Sequence, residues 1–355
     1  MLIDQLLSLK GVLMPKFFLI LVLMLIGSLS YAHHNPLVFY DPTNTIQLEG
    51  EILEVSWRNP HPILSVRVES WNGDEIWSVD VNSVSILRRT NITADNFKAG
   101  DKVKIGGWLS KNGGTDMFIT NLLVEGNQEE VILWPGSPSL WSDTTAGDWS
   151  TWGTAESDLT ETTDNIFKIW STSFLEIEKV LLDWDAFGSF TETAITARSE
   201  YDIFSNHIFL DDCNVKGMPT IMEQPYPMEF IDEGDVIIMQ MEEGDARREI
   251  FMSDINPNPE LSLFGYSTGK WEEGSLVVHT SNVSWPYLSM TGIPLSTAAE
   301  IIEVFTLNDN GKRLEYMITI NDPENLNEPL TVNKYWLLLP EAEIYKYVDS
   351  CNRNI

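Results

Sequence analysis

The chain has 355 residues, 43% of them hydrophobic, which is enough for two domains with ordinary cores. It carries 53 acidic side chains against 22 Lys and Arg, a net charge of -31. Such a surface repels phosphate backbones and anionic lipid, which excludes nucleic acid as an expected partner and suits an exported protein in a salty medium.

Residues 1–32 read as a targeting segment. An unbroken apolar run spans 17–26, with Lys16 before it and Gly27, Ser28 and Ser30-Tyr31-Ala32 after it. A basic start, an apolar core and small residues at both specificity positions describe a signal peptide cleaved after Ala32. The run is short for a membrane span, and no Cys follows it for a lipid anchor. The mature chain is therefore expected to be periplasmic or secreted, with no stable membrane anchor.

Residues 33–130 read as a small β domain. Ile46 and Leu48 share one face; the phase changes across Gly50-Glu51, and Leu53, Val55 and Trp57 continue on the other. A long first strand bent at a glycine lets one strand serve both sides of a barrel. Leu64, Val66 and Val68 alternate with polar residues, Asn72-Gly73 makes a tight turn, and Trp77, Val79 and Val81 form a third strand. A short helix over 84–89 and two more strands complete the order of an OB-like five-stranded barrel.

Residues 131–166 are rich in Ser, Thr, Gly and Asp and form a linker or an irregular strap. Trp134, Trp141, Trp149 and Trp152 either pin it to a domain or make an aromatic platform for a flat ligand. Residues 167–355 continue with a helix near 191–201 and then β-strands divided by turn chemistry such as Glu233-Gly234-Asp235 and Asn308-Asp309-Asn310-Gly311. The simplest closure is an antiparallel meander forming a lipocalin-like barrel or a strongly curved sheet. Such barrels often keep an interior that takes a small apolar or amphipathic molecule.

Gly265, Ser267 and Gly269 spell G-x-S-x-G. A hydrolase nucleophile elbow needs a strand before the serine and a helix after it. Here a Glu-Glu-Gly turn and Leu276-Val277-Val278 follow, so the pattern predicts a hairpin. The same residues carry a resemblance. Arg248-Glu249-Ile250-Phe251-Met252, the stretch 265–272, Leu276-Val277-Val278, Asn321-Asp322-Pro323 and the late Tyr347-Val348-Asp349-Ser350-Cys351 resemble an uncharacterised family of exported bacterial proteins. The chain departs at Glu273-Gly274, where that family has Gly-Asp, and at His279, where an acid is usual. Ala32-His33-His34 and Asn59-Pro60-His61 resemble the A-H-H and N-P-H motifs of a second uncharacterised exported family. Neither resemblance implies an established activity.

Three constellations could carry chemistry. Cleavage after Ala32 would leave His33 as an N-terminal copper chelator, with His34 or His61 completing the site; equally, these histidines are a tolerated chain start and a turn cap. Arg248, Glu272, His279 and Asp322 are the candidate acid–base residues of a second-domain cavity, and Trp271 the candidate ligand contact. The alternative is that Trp271 is core, Arg248 pairs with a carboxylate across strands, and Asp322 shapes a turn. Finally, Cys213 and Cys351 are the two cysteines, and export favours a disulfide between them, two separate thiols being the other possibility. Ligand binding leads these readings; an enzyme in the same cavity and a copper protein follow.

Overall fold

The computed structural model describes residues 36–149, 156–172, 182, 184–205, 215–253, 258–339 and 342–347. Both β domains belong to one compact unit, Ala32–Ile355. The first is built on β1 (Tyr40–Ser56), β2 (Ile63–Ser70), β3 (Gly73–Asp80), β4 (Lys102–Ser110) and β5 (Asp116–Val124). β1 pairs first with β4 and then, past Gly50, with β2. A Cβ on Gly50 would lie 2.5 Å from the Arg67 carbonyl oxygen, so only glycine lets the strand bend onto its neighbour. A parallel pairing of β3 with β5 closes the barrel, the closure expected of an OB order. The helix Val84–Arg89 is capped by Ser83, whose side chain accepts from the Ile86 amide.

The chain beyond 124 extends this sheet before it leaves it. β6 (Glu129–Ile132) pairs with β5, and β7 (Thr144–Ala146) lies parallel to β6. The strap between them is held by one buried carboxylate. Glu130 accepts from the amides of Leu140 (2.9 Å), Trp141 (2.8 Å) and Ser142 (3.1 Å) and from Asn121 Nδ2 (2.5 Å). Burial raises its pKa, but these donors outweigh that and the net direction is down. Trp134 packs on Trp108 and Phe118, and Trp149 Nε1 donates to the Ile132 carbonyl at 3.0 Å. Trp141 Nε1 reaches Gln47 at 3.3 Å. These three tryptophans therefore pin the strap to the first domain; Trp152 lies outside the described residues.

The second domain is a closed barrel of nine strands. They are β8 (Ile169–Ser171), β9 (Met228–Asp232), β10 (Val236–Met241), β11 (Arg247–Phe251), β12 (Tyr266–Glu272), β13 (Ser275–Ser281), β14 (Glu300–Leu307), β15 (Arg313–Asn321) and β16 (Leu330–Leu338). Neighbours are antiparallel except β11 and β12, which run parallel over Ile250↔Ser267 and Phe251↔Thr268. The short β8 closes the ring between β16 and β9. The described residues 342–347 are irregular and add no strand to the ring. Their amides go instead to carboxylates, Tyr345 to Glu242 and Tyr347 to Asp245, both at 2.9 Å.

The domains share packing. Phe39, Tyr40, Trp108 and Phe118 of the first domain belong to the same apolar cluster as the barrel interior. Arg89 forms a two-pronged ion pair with Glu242 (2.7 and 2.5 Å) and donates to the Glu343 carbonyl. The Tyr345 ring stacks under Arg88 and Arg89. Cys213, Cys351, His33 and His34 lie outside the described residues.

Glu130→Ala should loosen the strap while leaving both barrels folded. Amide exchange at Leu140, Trp141 and Ser142 should speed by roughly ten-fold or more, the cost of losing hydrogen bonds to a charged acceptor. Hydrogen exchange read by NMR checks this; unchanged rates at those three amides would refute the assignment.

Candidate functional site: a charged layer in the barrel and a cleft at its seam

Alternation along β12 decides what the G-x-S-x-G residues do. Ser267 faces inward and is buried, whereas Thr268, Lys270 and Glu272 face out. β12 turns back through Glu273-Gly274 into β13, with pairs from Tyr266↔Ser281 to Glu272↔Ser275. The motif is a hairpin, as its turn residues predict, and no helix follows the serine.

Inside, Ser267 belongs to a polar layer centred on Arg248. The guanidinium donates to Glu303 (Nη1 to Oε1, 3.0 Å, with Nη2 to Oε2), to Thr280 Oγ1 at 2.7 Å and to Ser267 Oγ at 3.0 Å. Tyr316 Oη donates to Glu303 at 2.9 Å. Arg248 and Glu303 are 1% and 0% exposed. Burial lowers the Arg248 pKa, yet the Glu303 charge and hydrogen bond together with Tyr316 outweigh it and hold the group above its usual value. Burial, then Glu303, pushes the Tyr316 hydroxyl well up. Above and below lie rings and aliphatic chains: Phe305 meets Phe230 and Tyr316 at centroid separations of 5.2 and 4.9 Å, and Tyr316 meets Trp336 at 5.0 Å. Together these side chains close the layer off from solvent.

The expected ligand chamber is therefore filled at this layer. Arg248 does pair with a carboxylate across strands, but it shares no cavity with Glu272 and His279. His279 stands on the outer wall 2.6 Å from Glu300, and Glu272 is ion-paired to Lys270 at 2.6 Å. Trp271 is 47% exposed at the barrel rim against Phe167, so it is not core either. Asp322 is a turn organiser: it accepts from Ser296 N and Oγ (2.8 and 2.7 Å) and from Asn325 Nδ2 at 2.8 Å. His61 is buried, with Nδ1 2.6 Å from the Val81 carbonyl oxygen and its ring edge-on to Phe118. Among the described residues no three His, Cys, Asp or Glu converge as a metal site.

A second charged group, which sequence reading missed, adjoins the layer. Lys334, 4% exposed on β16, donates to the Met222 carbonyl at 2.9 Å and lies over the Trp336 ring. Glu223 accepts from Trp184 Nε1 at 2.5 Å, and Lys216 meets Glu243 at 2.9 Å. Desolvation, opposed by Lys216 and Lys334, moves the Glu223 pKa up to about 7; desolvation, opposed by Glu223, moves Lys334 down to about 7. Their sequence signal was faint: Lys334 sits at an inward position of an alternating strand, where a charge is unusual.

On the outer wall the barrel is indented. Beyond Phe251 and Thr268 the strands β11 and β12 no longer pair, and a half-open cleft of about 270 Å³ lies there. Met252 and Val277 give it apolar surface, Ser253 and Thr268 hydroxyls, and Lys270 and His279 nitrogen. Gly269 is fixed by packing on the inner side of the strand, where a Cβ would come within 2.7 Å of Ile250 and 3.0 Å of the Met252 sulfur. A wider groove of about 560 Å³ runs over β1 and β4 of the first domain. Two of its three cations are taken by neighbours, Arg67 by Glu51 at 2.5 Å and Lys104 by Glu49 at 3.0 Å, as on a solvated charged face.

Residues 22–118 match the model of a family of unknown function (DUF6152), which spans the first domain as far as the start of β5. No curated protein matches the chain.

Arg248→Met should destabilise the protein by about 3–5 kcal/mol, because Glu303 is left buried and unmatched. Adding Glu303→Leu should restore most of that loss. Urea unfolding of the two variants checks the order; a double variant no more stable than the single one would refute it.

Glu223 gives a pH signature. Its folded pKa of about 7 lies above the ordinary 4.5. The stability it contributes is therefore complete below about 4.5 and lost as pH rises through about 7. Glu223→Gln should gain on the native chain across that window. Unfolding free energies of both proteins at a series of pH values test this, and a constant difference would reject it.

Proposed function

We propose that the chain is an exported binding protein whose C-terminal domain takes a small amphipathic molecule at the cleft beside the β11–β12 seam. The observation that carries this reading is the cleft itself, where apolar Met252 and Val277 meet hydroxyl and nitrogen groups within about 270 Å³. Mixed lining of this kind orients a ligand with one apolar end. The volume restricts what enters to a small molecule or one small group of a larger one. The barrel lumen is a poorer candidate, because Arg248 and Glu303 neutralise each other there out of contact with solvent.

Export is supported by the apolar run at 17–26 with its basic and small-residue flanks. A nucleic-acid partner is opposed by the net charge of -31. The β1–β2 loop, which OB domains use for oligonucleotides, is also engaged here: buried Asn59 donates to the Tyr347 carbonyl at 3.4 Å. An acid–base enzyme would need His279 and Glu272 facing one bound substrate, and each instead lies against a different neighbour, Glu300 and Lys270.

Nile red, a neutral amphipathic dye, serves as the probe. Saturable one-site binding is expected, with fluorescence transfer from the rim Trp271. Thr268→Trp, which fills the cleft from its outer wall, should weaken it by about ten-fold or more, the equivalent of about 1.4 kcal/mol of lost contact. Equal affinity in the variant, with the melting temperature kept, would place the dye elsewhere and defeat the proposal.

A further inference from the structure

Strand β12 is paired along its full length on one side and over two residues on the other. Toward β13 the ladder runs from Tyr266 to Glu272; toward β11 it stops at Ser267 and Thr268. On the other side of β11 the Met252 amide donates to the Asp235 carbonyl at 2.9 Å, so the ladder with β10 continues one residue past the last pair with β12. Among the described residues, the outer edge of 269–272 therefore has no ladder partner. Every second residue of a strand directs both its N–H and its C=O to the same edge, so this stretch offers donors and acceptors in strand spacing. The cleft lies directly beside it, lined by Met252, Gly269 and Val277.

We infer that this open edge of β12 accepts an extended, basic peptide segment of an exported partner, added as a further strand at the seam. The inference rests on the seam being the binding site and names its ligand: the amphipathic group in the cleft is a side chain of that segment. Main-chain hydrogen bonds would supply affinity and the cleft would select one side chain. The sign of the partner follows from charge. The chain carries -31 overall. On the open stretch itself Lys270 is drawn to Glu272, while Glu273 stands exposed in the turn that follows. A second copy of this chain would bring the same acidic edge and be repelled, and an edge lysine is itself a guard against self-pairing. A basic strand meets neither obstacle.

The test uses the full chain and a short alternating Val-Lys peptide capped at both ends. Two controls accompany it: the same peptide N-methylated on the amides of one edge, and a Val-Glu counterpart. Binding of the Val-Lys peptide should slow amide exchange within 269–272. Each N-methylated amide should cost up to about ten-fold in affinity, one hydrogen bond's worth, and the Val-Glu peptide should not bind. Equal affinity of the N-methylated peptide, or binding without slowed exchange at those residues, would show charge attraction alone and overturn the inference. So would no binding. Nile red separates the two readings: a dye site lost in Thr268→Trp with no peptide binding leaves the cleft and removes the strand, whereas failure of the dye removes the cleft itself.

Discussion

A guanidinium inside an apolar barrel must be matched or the barrel does not close. Arg248 on β11 meets Glu303 on β14, and the remaining donors are taken by Ser267 on β12 and Thr280 on β13, with Tyr316 on β15 completing the carboxylate. Five successive strands thus contribute to one satisfied group. This matters most at β11–β12, where the ladder supplies only two residues of pairing. The side-chain layer bridges the wall where the backbone nearly fails to. Exchange of the pair for apolar residues of similar size is tolerable in principle, because desolvation consumes much of the Coulombic gain. What the ion pair adds is a fixed register across a weak seam.

The same logic operates between the domains. Glu242, at the end of β10, is fully buried, and it is matched by Arg89 at the end of the Val84–Arg89 helix and by the Tyr345 amide. One carboxylate therefore ties together the first domain, the barrel and the segment 342–347. The OB-like domain consequently works inward: the face near its first loop is an intramolecular contact, and its Phe39, Tyr40 and Phe118 extend the barrel's apolar cluster.

Much of this was legible in the residues. Alternation of Leu64, Val66 and Val68, the bend at Gly50 and the short helix over 84–89 gave the first domain's order, and the matched family model lies over that region. The Glu273-Gly274 turn made the G-x-S-x-G stretch a hairpin, since local turn chemistry is independent of what the strands later meet. The tryptophans of the strap were readable as anchors because free linkers seldom keep them. β8 was not readable: three residues carry no periodicity, and the strand exists only because β16 and β9 present edges to it.

The site shows where sequence stops. Period-two patterning determines that Arg248, Ser267 and Thr280 face one way and His279 and Lys270 the other, because successive side chains of a strand alternate. It does not tell which side is filled. That was decided by closure of nine strands and by the residues that meet across the lumen, Glu303 lying 55 positions from Arg248. The segment 342–347 carries strand-like composition, but Glu242 and Asp245 capture its amides and hold it irregular. Likewise the cleft lies where two parallel strands stop pairing after a two-residue contact, a matter of which strands meet in space. Composition, charge and turn type act through near neighbours and are written in the chain; the charged layer and the open edge depend on distant strands meeting, which only the folded barrel decides.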